Sequence, residues 1–300
     1  MKKNTKIIIG LVILLVLILI PILPFLIIPG KYNFQEFWSY FFTKIFSWST
    51  FASSFWPIIQ VIPVTLEATF FAALFGLLLG LALALVKINK IPILDQLRAL
   101  FVSFMRGTPI IVQLYLMAFG IPLILRGIDY NYGMNWNMNS VPTILILIIT
   151  FALNEGAYQS ETIRSAINSV DIGQIEAAKS LGMSGFQVFK RVTLPEASRV
   201  ALAPLGNALL GMLKSTSLGS VVAVTEMTFT ATILGGAASR QFETYIALAL
   251  VYWAICIVLE NLIRLLERHL EIRMPNDKRK NRAAISFTRN PFDNNVEVGK

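Results

Sequence analysis

The sequence predicts an all-α membrane protein of about six transmembrane helices, with cytoplasmic N- and C-termini and a cytoplasmic two-helix loop. Three observations carry this. Hydrophobic residues make up 55% of the chain and charged ones only 14%, which is not the composition of a soluble globule. Apolar blocks long enough to span ~30 Å of hydrocarbon recur along it. Basic residues fall on one side of these blocks. Lys31, Lys44, Arg126 and Arg240 lie outside and Lys214 lies within a span, while the other 21 of 26 fall inside. The same asymmetry accounts for the net charge of +9 without any nucleic acid.

Residues 1–30 form the first span, an apolar block at 7–29 behind Lys2, Lys3 and Lys6. A cleavable signal is the rival reading, but the block is long for one and no small-x-small site follows. Pro21 and Pro24 kink it. Residues 31–59 carry Phe34, Phe37, Trp38, Phe41, Phe42, Ile45 and Phe46 on one helical face. Asn33 and Glu36 are placed to cap that helix, and a ring-rich helix of low charge belongs at the extracellular membrane interface.

The transmembrane domain proper covers residues 60–267. Its first span, residues 60–86, ends at Lys87 and Lys90, and Gly76 and Gly80 allow close helix approach. The region 93–125 is interrupted by Arg106-Gly107-Thr108-Pro109, and broken helices tend to line pathways because freed backbone groups need polar company. A polar loop at 126–140 leads into a span at 141–164. The next spans are 200–224 and 242–265, separated by a hydroxyl- and glycine-rich loop from Thr228 to Ser239. The tail, residues 268–300, is basic, lacks apolar periodicity and reads as a disordered cytoplasmic segment.

Between the spans, residues 168–198 read as two short amphipathic helices with a joint. Ser169 and Asp171 are N-cap types, Gly182 suits a C′ position, and Ser184 with Gln187 has capping-box spacing. Pro195 stops the second helix from running on unbroken. Ile175, Ala178, Leu181, Phe186, Phe189 and Val192 can share its apolar face.

The spelling of this loop is specific. Glu176-Ala177-Ala178, then Gly182, then Leu194-Pro195 resembles the EAA loop of ABC-transporter permease subunits. Ala157-Tyr158 with Glu161 and Arg164, Gly173-Gln174, Lys214-Ser215-Thr216-Ser217-Leu218, and Arg106-Gly107-Thr108-Pro109 with Gln113 resemble the polar amino acid importers of that class (histidine, glutamine, arginine and cystine permeases). The resemblance covers roughly residues 60–270. It implies a bacterial plasma-membrane, multi-pass permease that forms a pore with a second permease subunit, identical or similar. It further implies ABC ATPase subunits docked on Glu176, Ala177, Ala178, Gly182, Leu194 and Pro195, and an extracellular substrate-binding protein. The chain contains no Gly-x-x-x-x-Gly-Lys-Ser/Thr loop, so ATP and Mg are expected on the partner and no cofactor in this chain. It is read as a transport subunit, not an enzyme.

Charges inside hydrocarbon are costly and tend to face a cavity or a partner. Glu155 lies 14 residues past Val141 and Lys214 15 past Arg199, each ~21–22 Å along its span at ~1.5 Å per residue. A zwitterionic amino acid wants a few fixed groups of both signs. Asn154 and Glu155 are candidates for its ammonium, Lys214, Thr216 and Ser217 for its carboxylate, with Glu161 and Gln113 as family-matched positions. The competing reading is a buried Lys–Glu pair, or hydroxyls that merely bond the preceding turn. The single histidine, His269, excludes a multi-histidine metal site within the chain, and no metal is expected. The lone Cys256 excludes an intrachain disulfide framework.

Rival functions are a secondary transporter or channel working without ATP, and an intramembrane enzyme. The long inner loop and the lack of inverted halves disfavour the first. The second lacks paired aspartates or a His-Glu-x-x-His set. Cystine or an opine remain alternative substrates.

Overall fold

A computed structural model describes residues 34–133 and 141–270. The expected first span, residues 134–140 of the polar loop and residues 271–300 of the tail lie outside the described residues; the first part of the expected loop, residues 126–132, is helical instead. Those that are described are all-helical or in short connections. They group into two compact units. One is made from the described part of Met1–Ile59 with Thr230–Leu250, the other from Gln60–Phe229 and the described part of Val251–Lys300.

In the first unit, α1 (Phe34–Tyr40) runs into a π-helical turn, Phe41–Ile45, and then α2 (Trp48–Gln60). The rings read from the sequence pack on one another: Trp38 stacks on Phe42, Phe42 on Trp48, and Phe46 meets Phe51. Residues Thr230–Leu250 belong to this unit, where buried Glu243 accepts from the Ser47 amide at 2.8 Å.

The second unit is built on α3 (Ile62–Ile88) and α6 (Thr143–Asn168). Small residues recur every fourth position on α3, at Ala68, Ala72, Gly76, Gly80 and Ala84, and all are buried. They let α6 approach until a Cβ at Gly80 would stand 2.7 Å from the Gln159 Cβ, and one at Gly156 2.7 Å from Leu79. Leu114, Leu147, Ile148, Phe151, Met212 and Val224 fill the core beside this seam.

Between α3 and α6 lie α4 (Pro92–Gly107) and α5 (Ile110–Tyr132), separated by Thr108-Pro109 as the sequence break predicts. After α6 come α7 (Ile172–Ser180), the one-turn α8 (Gly185–Val188), a π-helical turn at Phe189–Thr193 and α9 (Leu194–Ser215). A 3-10 segment, Thr216–Val222, follows, then α10 (Met227–Ala238) and α11 (Gln241–Leu270). The loop expected from Thr228 is therefore helical. Its apolar residues Met227, Ala231 and Leu234 sustain a helix that Glu226 caps.

Among the described residues three helices are long and apolar enough to cross a membrane: Ile62–Ile88, Ile110–Tyr132 and Gln241–Arg268. A fourth crossing arises if the segments Gly185–Val222 and Met227–Ala238, bent by 50°, form one broken span. In α6, Asn154, Glu155 and Gln159 interrupt the apolar run.

Candidate functional site

The hairpin at α7–α8 is specified locally. Asp171 caps α7 by accepting from the Gly173 amide at 2.6 Å. Ser169 instead falls at the C-cap of α6. Gly182 adopts φ +77°, its amide donates to Lys179 and the Met183 amide to Ala178, which makes a full Schellman stop. Ser184 and Gln187 then exchange both capping-box bonds. Pro195 lies in the first turn of α9, where no amide is required, and the π-helical turn before it absorbs the misfit.

The apolar face predicted for this hairpin is divided. Ala178 is buried, and Ile175 packs against the cluster of Ala166, Val170, Ala197 and Ala201 that ties the hairpin base to α6 and α9. Leu181 and Phe186, flanking the Gly182 joint, are instead 79% and 72% exposed. Glu176, Ala177 and Lys179 are exposed beside them. The corner thus presents exposed apolar side chains beside charged ones.

A ladder of charges runs from the α3–α4 junction to the end of α6 nearest the hairpin. Lys87 lies 3.6 Å from Asp95, Asp95 accepts from Arg98 at 2.7 Å, Arg98 lies 3.8 Å from Glu161, and Glu161 binds Arg164 at 2.7 Å. The Arg98 side chain is 6% exposed, so its charge depends on these two carboxylates. Glu161, a substrate candidate in the sequence, is engaged here with two arginines.

Above the ladder, α6 supports the α4–α5 break. Pro109 has no amide to offer the Met105 carbonyl four residues earlier. Gln113 Nε2 donates there at 2.8 Å and to Thr108 Oγ1 at 2.7 Å, and Asn154 Nδ2 adds a bond to the same carbonyl at 3.1 Å. Asn154 and Gln113, separate candidates in the sequence, are mates in the fold. On the same side of α6, the Arg106 guanidinium lies 5.3 Å from the centre of the Tyr158 ring.

Glu155, one residue on from Asn154, takes another direction. It accepts from Gln159 Nε2 and borders a cavity of about 360 Å³, whose walls come from α3, α6, α9 and α11. Lys214 does not reach it. The Lys214 side chain is exposed and, among the described residues, makes no ion pair. Thr216 donates to the Leu213 carbonyl at 2.6 Å and Ser217 to the Lys214 carbonyl at 2.7 Å, the back-bonded arrangement that the sequence left as the competing reading.

Sequence reading missed Glu226. Fully buried, it accepts from the amides of Thr228 at 2.9 Å and Phe229 at 2.7 Å and from the Tyr252 hydroxyl at 3.2 Å, and so caps α10 at its N-terminal end. A carboxylate in so apolar a stretch was the available signal.

A bundle of close-packed apolar helices, two of its runs broken and carrying polar groups, with a hairpin presenting exposed apolar side chains, is an arrangement that suits a membrane transport permease. The chain belongs to the family of binding-protein-dependent transport system inner membrane components, whose family model matches residues 76–272. It is 39% identical over 221 residues to the probable amino-acid permease YxeN of Bacillus subtilis, covering 74% of this chain and 94% of that one. It is also 39% identical over 212 residues to the L-cystine transport system permease TcyL of the same organism, covering 70% and 85%. Among solved structures, an amino acid ABC transporter crystallised with histidines matches with a TM-score of 0.60 at 31% identity, covering 80% of this chain and 99% of that one.

Proposed function

We propose that this protein is the membrane-spanning subunit of an ATP-driven importer for an amino acid in a bacterial plasma membrane. Two such subunits form the pathway. ATPase subunits, which hold ATP and Mg, grip the hairpin at Glu176, Ala177, Ala178, Gly182, Leu194 and Pro195, and an extracellular binding protein delivers the substrate. Six spans with both termini inside put the hairpin on the ATPase side. The observation that carries the reading is the rigid corner at Gly182 with Leu181 and Phe186 turned out to solvent, in a chain whose relatives include permeases of amino acids and cystine.

Approach of the two ATPases on binding ATP pushes the hairpins together. Because the hairpin base packs on α6 and α9 through Ala166, Val170, Ala197 and Ala201, that movement tilts the two helices and alternates access. Glu155, Lys214, Thr216 and Ser217 remain the proposed contacts along the pathway. Asn154, Gln113 and Glu161 hold that pathway's walls through their partners and have less freedom to meet a substrate.

Reconstitution tests this. Vesicles with the ATPase and binding protein should accumulate an amino acid uphill in a vanadate-sensitive manner, and vesicles with this chain alone should not. Full-rate uphill accumulation by the chain alone would overturn the reading.

A further inference from the structure

The chain turns a corner after α9, and the two sides of that corner are held differently. Before it, the 3-10 segment Thr216–Val222 continues directly from α9. After it, Glu226 accepts from the Thr228 and Phe229 amides and from the Tyr252 hydroxyl of α11, while Thr65 of α3 accepts from the Met227 amide at 3.3 Å. The corner residue is Ala223, at φ +58°, a left-handed conformation that a residue with a Cβ adopts under constraint. Two local backbone bonds close the turn, Ala223 to Ser220 at 3.2 Å and Val224 to Gly219 at 3.0 Å. A serine or threonine would cap a helix as well as Glu226 does. What the longer side chain adds is reach, since one of its oxygens also meets Tyr252, 26 residues on. All three donors are neutral and the carboxylate is fully buried, a costly arrangement for a cap alone.

The hairpin and this corner lie at opposite ends of α9, whose 22 residues set them about 30 Å apart at ~1.5 Å per residue. A helix driven at one end tilts only if its other end is held; otherwise it shifts bodily. The geometry points to Glu226 and Tyr252 as positioning residues for transport. Together they hold the chain beyond the corner against α11, with Thr65 adding α3, while α9 swings about Ala223 when the hairpin moves. Ala223 is suited to be the joint, being small, exposed and already off the usual backbone regions. Lys214 and Ser217, just before the corner, then turn with α9 and change what they face. This inference rests on the ATP-driven import reading.

The test uses the full chain assembled with its ATPase in lipid nanodiscs, with Cys256→Ser removing the single native thiol. One cysteine at a time is then placed on either side of the corner. Gly211→Cys lies on α9, exposed and with nothing within 4 Å of a Cβ, and Thr225→Cys lies exposed just past Ala223. Reaction with N-ethylmaleimide is timed without nucleotide and after trapping with ATP and vanadate. Gly211→Cys should react at different rates in the two states, and Thr225→Cys at the same rate in both. Adding Tyr252→Phe removes one hydrogen bond to the carboxylate and should speed the Thr225→Cys reaction about tenfold in one state, making it state-dependent. Glu226→Gln, close in volume, should do the same, and thermal midpoints report whether each variant folds. A pair that only stabilises the fold would lower the midpoint and leave the two Thr225→Cys rates equal, which would overturn the inference. So would a Gly211→Cys rate that ignores nucleotide, or a Thr225→Cys rate that already responds to it with Glu226 and Tyr252 intact. In those cases vanadate-trapped hydrolysis leaves the import reading standing; absence of any such hydrolysis would remove that reading and the inference with it.

Discussion

Asn154 donates to the side-chain oxygen of Gln113 at 3.0 Å, across 41 residues of sequence, and both amides point at the carbonyl that Pro109 leaves without a partner. The break in the α4–α5 run is thus held by a neighbouring helix, as buried backbone at a helix break requires. Gln113 makes more of these bonds, so Gln113→Leu should cost more than Asn154→Leu, with each loss in the range of about 1–3 kcal/mol. The double variant should lose less than the sum, because the two side chains share the Met105 carbonyl. Thermal unfolding of the purified variants measures all three. Equal, additive losses would show that the two amides act independently.

Arg98 offers a separate test, at the end of α6 nearest the hairpin. Its buried guanidinium lies between Asp95 and Glu161, and the Lys87–Asp95 contact at 3.6 Å is more exposed. Arg98→Met should destabilise the protein by about 1–3 kcal/mol, since it leaves two carboxylates facing each other. Lys87→Met should change stability by less than about 1 kcal/mol. Glu161→Gln in the Arg98→Met background should recover part of the loss by removing one of the two carboxylates that Arg98 no longer bridges. A double-mutant cycle on the unfolding midpoint decides it, and zero coupling would mean that Arg98 and Glu161 do not interact.

How much of this is legible in the sequence follows the range of each interaction. Asp171, the Gly182 stop, the Ser184–Gln187 box and the Arg106–Pro109 break are written within a few residues and read correctly. Gln113 and Asn154 both stand out as polar residues in apolar runs, but their pairing depends on where α6 lands and no local pattern encodes it. Glu226 escapes because the sequence suggests a span ending at residue 224 and a loop beginning at Thr228; the helix that Glu226 caps is what that expectation omits. Leu181 and Phe186 have helical spacing with the buried positions and so group with them in the sequence. The Schellman turn at Gly182 separates them from the packed face, which is a tertiary outcome of a single positive φ.

Gly182 separates strain from docking. Its φ of +77° is one that L side chains rarely adopt, yet a Cβ there would meet nothing within 4 Å. Gly182→Asn should therefore be tolerated, because asparagine visits this region with little penalty. Gly182→Val should cost about 1–2 kcal/mol in the hairpin through backbone strain. Gly182→Arg adds bulk and charge to the docking corner. It should insert normally in the membrane but hydrolyse ATP in the assembled complex without transport. ATPase rate and uptake measured together read this out, and intact coupling in the arginine variant would remove the corner from the docking surface.

Gly80 tests the α3–α6 seam on which the cavity depends. Nothing else fits at its crossing: a Cβ would lie 2.7 Å from the Gln159 Cβ and 3.1 Å from the Ser160 amide nitrogen, so backbone as well as side chain would have to move. Gly80→Ala should lose about 1–3 kcal/mol by overpacking, despite the gain in helix propensity. At Gly120, by contrast, a methyl group would meet no atom within 4 Å, and Gly120→Ala should be neutral or stabilising by up to about 1 kcal/mol. Because Gln159 sits directly against Gly80, the alanine there should also displace the Gln159 side chain. Unfolding midpoints for the two alanine variants provide the comparison. Equal midpoints would show that the seam is looser than its packing distances require.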